Sequence, residues 1–517
     1  MELQQFATLS PKILALFLAT AYVLLQLITA AITTYQDRKF ARANGCRAPR
    51  RWYSGPYGLI EFRRFMQAAN KGQHVEYVAS RWEKFGAHTF VMRSFSTEII
   101  NTIDPRNIQT ILATKFKDFS LGPARRNGFH ALFGEGIFTL DGKGWEYSRT
   151  LLRPQFSRDQ VADVDMLDTH VTRLLNLMKE AGSEPVDLQP WFFSLTLDSA
   201  TEFLFGESAD SLLMGDQAGF AYAFNRGLEW VMWKLRFRKL AQLYEPKEMR
   251  EVNAMVHGFV DRYVDMALNR DKHPLPKEAE DKYIFLDAVV ADTRDRKALR
   301  DQMLNILLAG RDTTAGLIGW TIYCLAWHPH VYRKLRAELE KAFGTATPGV
   351  WKRPTFESLK DVVYLRHVLN EVLRLYPSVP LNSRDAIRDT ILPAGGGPDG
   401  HSPIFIKKGT RVQYSVYQLH RRKDIYGPDA NEFRPERWAE AKVGRGWDYL
   451  PFNGGPRICL GQQYALTEAG FTVTRILQHF ESITPGDPSV TYPHMLSTLT
   501  MSPLRCFVKM VPVRRDN

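Results

Sequence analysis

The stretch from Ala298 to Ala326 carries apolar residues on more than one helical face, with acidic Asp292–Asp295 before it and His328-Pro329 after it. A surface helix needs only one apolar stripe, so a helix this apolar has to run through a core. The rest of the chain is then expected to wrap around it. From about 145 to 345 the apolar spacing is mostly helical, and helices are also predicted over His367–Leu375 and from about Gln462 to Phe480. Thr89–Arg93, Thr97–Ile103 and the region 380–420 instead read as strands broken by Gly and Pro. The expected class is mainly α with a small β part. After residue 60 no linker-like composition and no internal repeat divides the 517 residues, so one large domain is expected over 61–517.

The 20 residues from Ile13 to Ile32 contain no charged side chain. As a helix they would be roughly 30 Å long, the thickness of a bilayer core. Arg38, Lys39, Arg42, Arg47, Arg50 and Arg51 follow, which places the main domain on the cytosolic side by the positive-inside rule. Residues 1–36 are read as a single-pass membrane anchor and 37–60 as a basic, Pro-containing linker. A cleaved signal peptide is the alternative. The net charge of +12 comes from scattered residues, and no nucleic-acid-binding pattern accompanies it, so no nucleic-acid partner is expected. None of the four cysteines forms a C-x-x-C pair, which argues against a disulfide framework or a structural zinc site. Cys46, Cys324 and Cys506 receive no role.

The fourth cysteine sits in Phe452-Asn-Gly-Gly-Pro-Arg-Ile-Cys459-Leu-Gly461. A lone cysteine in a loop is usually inert. Here Gly454 and Gly455 permit a tight turn, Arg457 brings a permanent cation, and Gly461 leaves room for a flat ligand. A helix beginning just beyond Cys459 is expected to favour its thiolate. The segment resembles the haem-binding pattern F-x-x-G-x-R-x-C-x-G of the cytochrome P-450 superfamily, with Phe452, Gly455, Arg457, Cys459 and Gly461 at its fixed positions. The resemblance implies a cytochrome P-450 fold and haem iron ligated by the thiolate of Cys459, which pushes electron density onto the metal.

Other stretches carry the same resemblance. Glu371 and Arg374 lie three apart on a helix, ordinarily a surface pair. With Arg437 of Phe433-Arg434-Pro435-Glu436-Arg437-Trp438 they resemble the family's buried structural triad. Ala309-Gly-Arg-Asp312-Thr313-Thr314 interrupts the long helix with poor helix formers. It resembles the family's oxygen-side groove, which gives Asp312 and Thr313 the role of relaying protons to dioxygen. Trp145 and Arg149 match a W-x-x-x-R helix, and together with Arg384 and Arg457 they are expected to hold the haem carboxylates. Ala309 stands where some relatives carry a glutamate esterified to the haem, so a non-covalent haem b is expected.

The nearest branch by resemblance is that of fungal n-alkane and fatty-acid ω-hydroxylases, on Leu307–Ala315, Leu373–Pro380, Gly395–Gly400 and Tyr414–Tyr417. Arg125–Phe133, Phe220–Phe237, Leu304–Thr313, Val379–Asn382 and Leu496–Met501 are expected to line the pocket. The stretch from Trp230 to Lys239 alternates aromatics and cations and is expected to dip into the membrane interface. The resemblance also implies an NADPH-dependent reductase, with cytochrome b5 as a second donor, on a basic face that includes Lys143, Arg153, Lys442 and Arg445. It implies an endoplasmic reticulum location, dioxygen and a lipophilic substrate. Two other readings are a monooxygenase of fungal secondary metabolism and a haem electron carrier or sensor without turnover.

Overall fold

The computed structural model describes residues 11–95, 97–157, 163–215, 219–237, 240–270, 283–344, 352–440, 443–490 and 494–513. Arg238, Lys239 and Lys442 lie outside them.

The central helix spans Arg296–Trp327. Asp295 caps its start by accepting from the amides of Lys297 at 2.9 Å and Ala298 at 3.1 Å. Pro329, just past its end, cannot continue it. Its buried residues fall into two groups. Leu299, Met303, Leu304 and Ile306–Leu308 join a core built with Phe220–Phe237 and Lys247–Leu268. Ala315, Leu317, Ile318, Trp320 and Leu325 join a second core built with Val363–Leu375 and Gln462–His479. Each large side chain so buried contributes about 1.5–3 kcal/mol. The segment Ala309–Thr314 lies at the seam between the two cores, where neither fills the space. Two helix glycines beyond it have a steric reason. A Cβ on Gly316 would stand 2.8 Å from the carbonyl of Met501, and one on Gly319 would stand 2.0 Å from Oε1 of Gln189.

The β part is a six-stranded mixed sheet, in spatial order Arg51–Trp52, Thr89–Ser94, Thr97–Thr102, Arg411–Ser415, Leu381–Ala386 and Phe119–Ser120. A hairpin of Thr390–Gly396 and Ser402–Ile406 stands beside it. Mainly α with a small β part is the observed class.

The N-terminal helix is long and apolar enough to cross a membrane, and none of its residues is buried. It differs from expectation at its far end, running on to Ala43. Asp37 pairs with Lys407 at 2.7 Å, and the rings of Phe40 and Phe405 lie 5.2 Å apart. The amide of Arg47 then donates to the carbonyl of Pro403, and Arg51 and Trp52 pair with Val91 and Met92 of the sheet. Residues 37–60 thus include the end of that helix, the edge strand Arg51–Trp52, a turn at Pro56–Gly58 and the start of the helix Leu59–Asn70. Basic side chains suited to a soluble linker suit an exposed helix terminus equally well.

Candidate active site

Cys459 closes a tight loop, its amide donating to the carbonyl of Phe452 at 3.0 Å. The turn uses positive φ at Asn453 and Gly455. Gly455 has no alternative, because a Cβ there would stand 1.9 Å from the carbonyl oxygen of Leu112. Gly461 is less constrained by the protein, since a Cβ would meet only the Phe156 ring at 3.4 Å. Beyond the loop, Gln462–His479 begins, and the Gln462 side chain donates to the Cys459 carbonyl at 2.9 Å.

Behind the loop, Glu371, Arg374 and Arg437 are fully buried. Arg374 grips Glu371 through both carboxylate oxygens at 2.8 and 2.9 Å, and Nε of Arg437 donates to Oε1 at 2.8 Å. Trp438 Nε1 and the Arg434 amide complete the carboxylate's bonds. The two guanidinium groups donate to the carbonyls of His420, Ala430, Tyr426 and Asp429, which fixes the segment leading to the cysteine loop. His420 extends this frame by accepting from the Leu450 amide at 2.8 Å. Burial and Arg374 push its pKa down to about 3, so the imidazole is neutral.

A cavity of about 520 Å³ opens between the loop and the seam of the central helix. All five segments expected to line it contribute, and Phe156, Ala200 and Phe203 add apolar wall that the sequence did not single out. Cys459 is the only cysteine on the wall among the described residues. Its accessible surface faces this cavity, and it lies deep enough for burial to push the thiol pKa up, against the amide of Gly461 and the charge of Arg149. Arg457, expected among the cations for the haem carboxylates, donates to Asp141 at 2.7 Å and to the Leu140 carbonyl at 3.0 Å. Arg149 takes the near position, donating to the Ile458 carbonyl at 3.0 Å. Trp145 is buried, with the Arg457 guanidinium 4.5 Å above its ring.

Across the cavity, Ala309, Gly310 and Thr313 form the wall. The Thr313 hydroxyl donates back to the Ala309 carbonyl at 2.7 Å. Asp312 does not line the cavity. It is buried on an adjoining face of the helix and pairs with Arg311 at 2.8 Å, and Arg311 in turn reaches Asn225 at 2.5 Å. Burial pushes the Asp312 carboxyl up despite Arg311. Arg311, 4.6 Å over the Phe193 ring, is a partner the sequence reading missed.

Residues 54–510 match the family described as cytochrome P-450. The chain belongs to the cytochrome P-450 family. Cytochrome P-450 52A12 of Debaryomyces hansenii is 47% identical to it over 88% of this chain and 90% of that relative. Cytochrome P-450 52A3-B of Candida maltosa is 46% identical over 85% and 86%. Cytochrome P-450 monooxygenase g430 of Fusarium sp is 43% identical over 94% and 88%. This cytochrome P-450 is a monooxygenase that uses haem with cysteine-thiolate ligation, dioxygen, a lipophilic substrate and a redox-partner reductase.

The wall suits that cofactor. Among the described residues, six arginines line it (125, 149, 236, 384, 411 and 457) and no Asp or Glu does. Arg125 and Arg384 share the acceptor Oδ1 of Asn382, at 3.3 and 3.1 Å, Arg384 also donates to the Ser383 carbonyl at 2.7 Å, and the buried Nε of each has no partner. Burial and mutual repulsion push Arg125 down to about 10 and Arg457 to about 9. Asp141 is the only carboxylate whose charge reaches both. Buried cations with free N–H groups and so little counter-charge fit a ligand bearing two carboxylates.

Proposed function

We propose that this cytochrome P-450 inserts one oxygen atom of dioxygen into the terminal C–H bond of an n-alkane or a long-chain fatty acid. The observation that carries the reading is a long apolar cavity with Cys459 on one wall and Thr313 on the facing wall. The resemblance of Leu307–Ala315 and Leu373–Pro380 to the ω-hydroxylase branch supports it.

Cys459 is assigned as the iron ligand, and Arg125, Arg384 and Arg457 as the groups that neutralise the haem carboxylates, with Trp145 and Arg149 bracing the loop. Haem supplies the activation of dioxygen when bound. Haem b is assigned as non-covalent, since Ala309 offers no carboxylate. The chain's own residues do the rest. Apolar side chains exclude water and direct the chain end. Thr313 holds its hydroxyl oxygen at the cavity wall with its proton on the Ala309 carbonyl, and Asp312, paired with Arg311 on the adjoining face, is assigned with it to the supply of protons from solvent. Glu371, Arg374 and Arg437 keep the cysteine loop rigid. Electrons are assigned to an NADPH-dependent reductase, with cytochrome b5 as a second donor, docking on the face that carries the exposed Lys143, Arg153 and Arg445. The location is assigned to the endoplasmic reticulum, single-pass, with residues 61–517 as the cytosolic catalytic domain.

The test is the carbon monoxide difference spectrum of the reduced protein, followed by titration with a fatty-acid series. A strongly red-shifted Soret band lost in Cys459→Ser, with binding that depends on chain length, is expected. A histidine-type spectrum unchanged by the substitution would overturn the assignment.

A further inference from the structure

The arginines on the cavity wall are not one set. Arg125, Arg149, Arg384 and Arg457 lie within each other's fields around the cysteine loop, and Arg411 is neutralised by Asp385 at 2.7 Å. Arg236 stands apart. It comes from the last turn of Phe220–Phe237, and its neighbours on the wall are Met232, Leu235, Phe65 and His74. Phe65 and His74 belong to Leu59–Asn70 and His74–Phe85, which contribute nothing to the cysteine loop.

Arg236 makes no hydrogen bond or ion pair among the described residues, and its Nε is buried without a partner. His74 is 7% exposed, stacks edge-on to Phe65 at 5.9 Å, and its buried Nδ1 is likewise without a partner. Among the described residues the only charge acting on His74 is Arg236 and none acts on Arg236, so no described carboxylate serves either. Burial and Arg236 together push His74 down to about 4, leaving a neutral ring whose Nδ1 is a donor in one tautomer. A desolvated guanidinium without a counter-ion is costly unless a ligand supplies one. The haem carboxylates have their own cations at the loop, so this second site is available to another anion.

We infer that Arg236, assisted by His74, binds the carboxylate of a fatty-acid substrate whose hydrocarbon chain fills the cavity and whose methyl end reaches the space between Cys459 and Thr313. This deepens the fatty-acid reading above and rests on it. A headgroup fixed at one end of a cavity converts chain length into position, so the same contact selects the terminal carbon.

The test uses the full-length holoenzyme and measures dissociation constants for dodecanoic acid and methyl dodecanoate by calorimetry, in wild type, Arg236→Met and Arg236→Lys. A charge-assisted pair predicts that Arg236→Met weakens the acid about tenfold more than the ester, with partial recovery in Arg236→Lys. The melting temperature of Arg236→Met should not fall, because the guanidinium has no partner in the fold. Equal weakening of acid and ester, or no change in either, would overturn the inference while leaving the hydroxylase reading intact. A wild type that binds neither compound would sink the fatty-acid reading and this inference with it.

Discussion

The backbone of Gly455 lies so close to Leu112 that a Cβ on it would stand 1.9 Å from the Leu112 carbonyl oxygen. The loop that carries Cys459 is therefore seated against the Thr110–Thr114 turn by the absence of a side chain. Gly455→Ala should displace the loop, adding a clash to the cost of positive φ, for a loss of at least about 2 kcal/mol. Haem content per polypeptide and the thermal unfolding midpoint would report it. A variant with wild-type haem content would show that the seat is not needed.

Glu371→Ala leaves Arg374 and Arg437 buried without their shared carboxylate. Breaking a buried ionic group by removing one partner typically costs about 3–5 kcal/mol. The expected result is a protein that fails to accumulate or loses haem on purification. Glu371→Gln keeps the shape and part of the bonding, and should be milder in denaturant unfolding.

His420 links stability to pH. Its folded pKa of about 3 lies below the ordinary histidine value, so the unfolded chain binds the extra proton between the two. Its contribution is fully present above about pH 6.5 and is lost as the pH falls toward the folded value, at about 1.4 kcal/mol per pH unit. Denaturant midpoints between pH 7 and pH 4.5 should fall more steeply in the wild type than in His420→Gln. Parallel slopes would remove His420 from the account.

Thr313→Ala removes the only hydroxyl of the central helix that both faces the cavity and donates to the preceding turn, and Thr313→Ser restores it. Product formed per NADPH oxidised should drop at least about tenfold in the alanine variant, with hydrogen peroxide appearing in its place, and should recover in the serine variant. Undiminished coupling in Thr313→Ala would assign the proton supply elsewhere.

The sequence was most legible where local chemistry is peculiar. The Phe452–Gly461 loop and the Glu371, Arg374 and Arg437 cluster are composed of residues that make little sense on a surface. His74 was not legible as a site residue, because a single histidine at the start of an amphipathic helix reads as solvated. Arg125 and Arg236 lie in stretches expected to line the pocket and do line it, but the sequence did not single them out from their neighbours. The protein partner of Arg457 was hidden for a related reason. Spacing showed a cation near Cys459 but not Asp141, 316 residues earlier, which draws it away. Asp312 and Thr313 are neighbours in sequence and about 100° apart around the helix, and it is the Thr313–Thr314 side that faces the cavity while Asp312 pairs with Arg311 on the adjoining face.

The salt bridge of Asp37 with Lys407 and the packing of Phe40 on Phe405 have a mechanical consequence. A helix that leaves the bilayer and is clamped to the hairpin before it ends acts as a strut rather than a leash. Its 33 residues amount to roughly 50 Å of rigid rod, more than the bilayer core requires. The globular part then stands at a set height and inclination over the lipid. The cavity is then held in one orientation to the axis of that helix instead of sampling all of them.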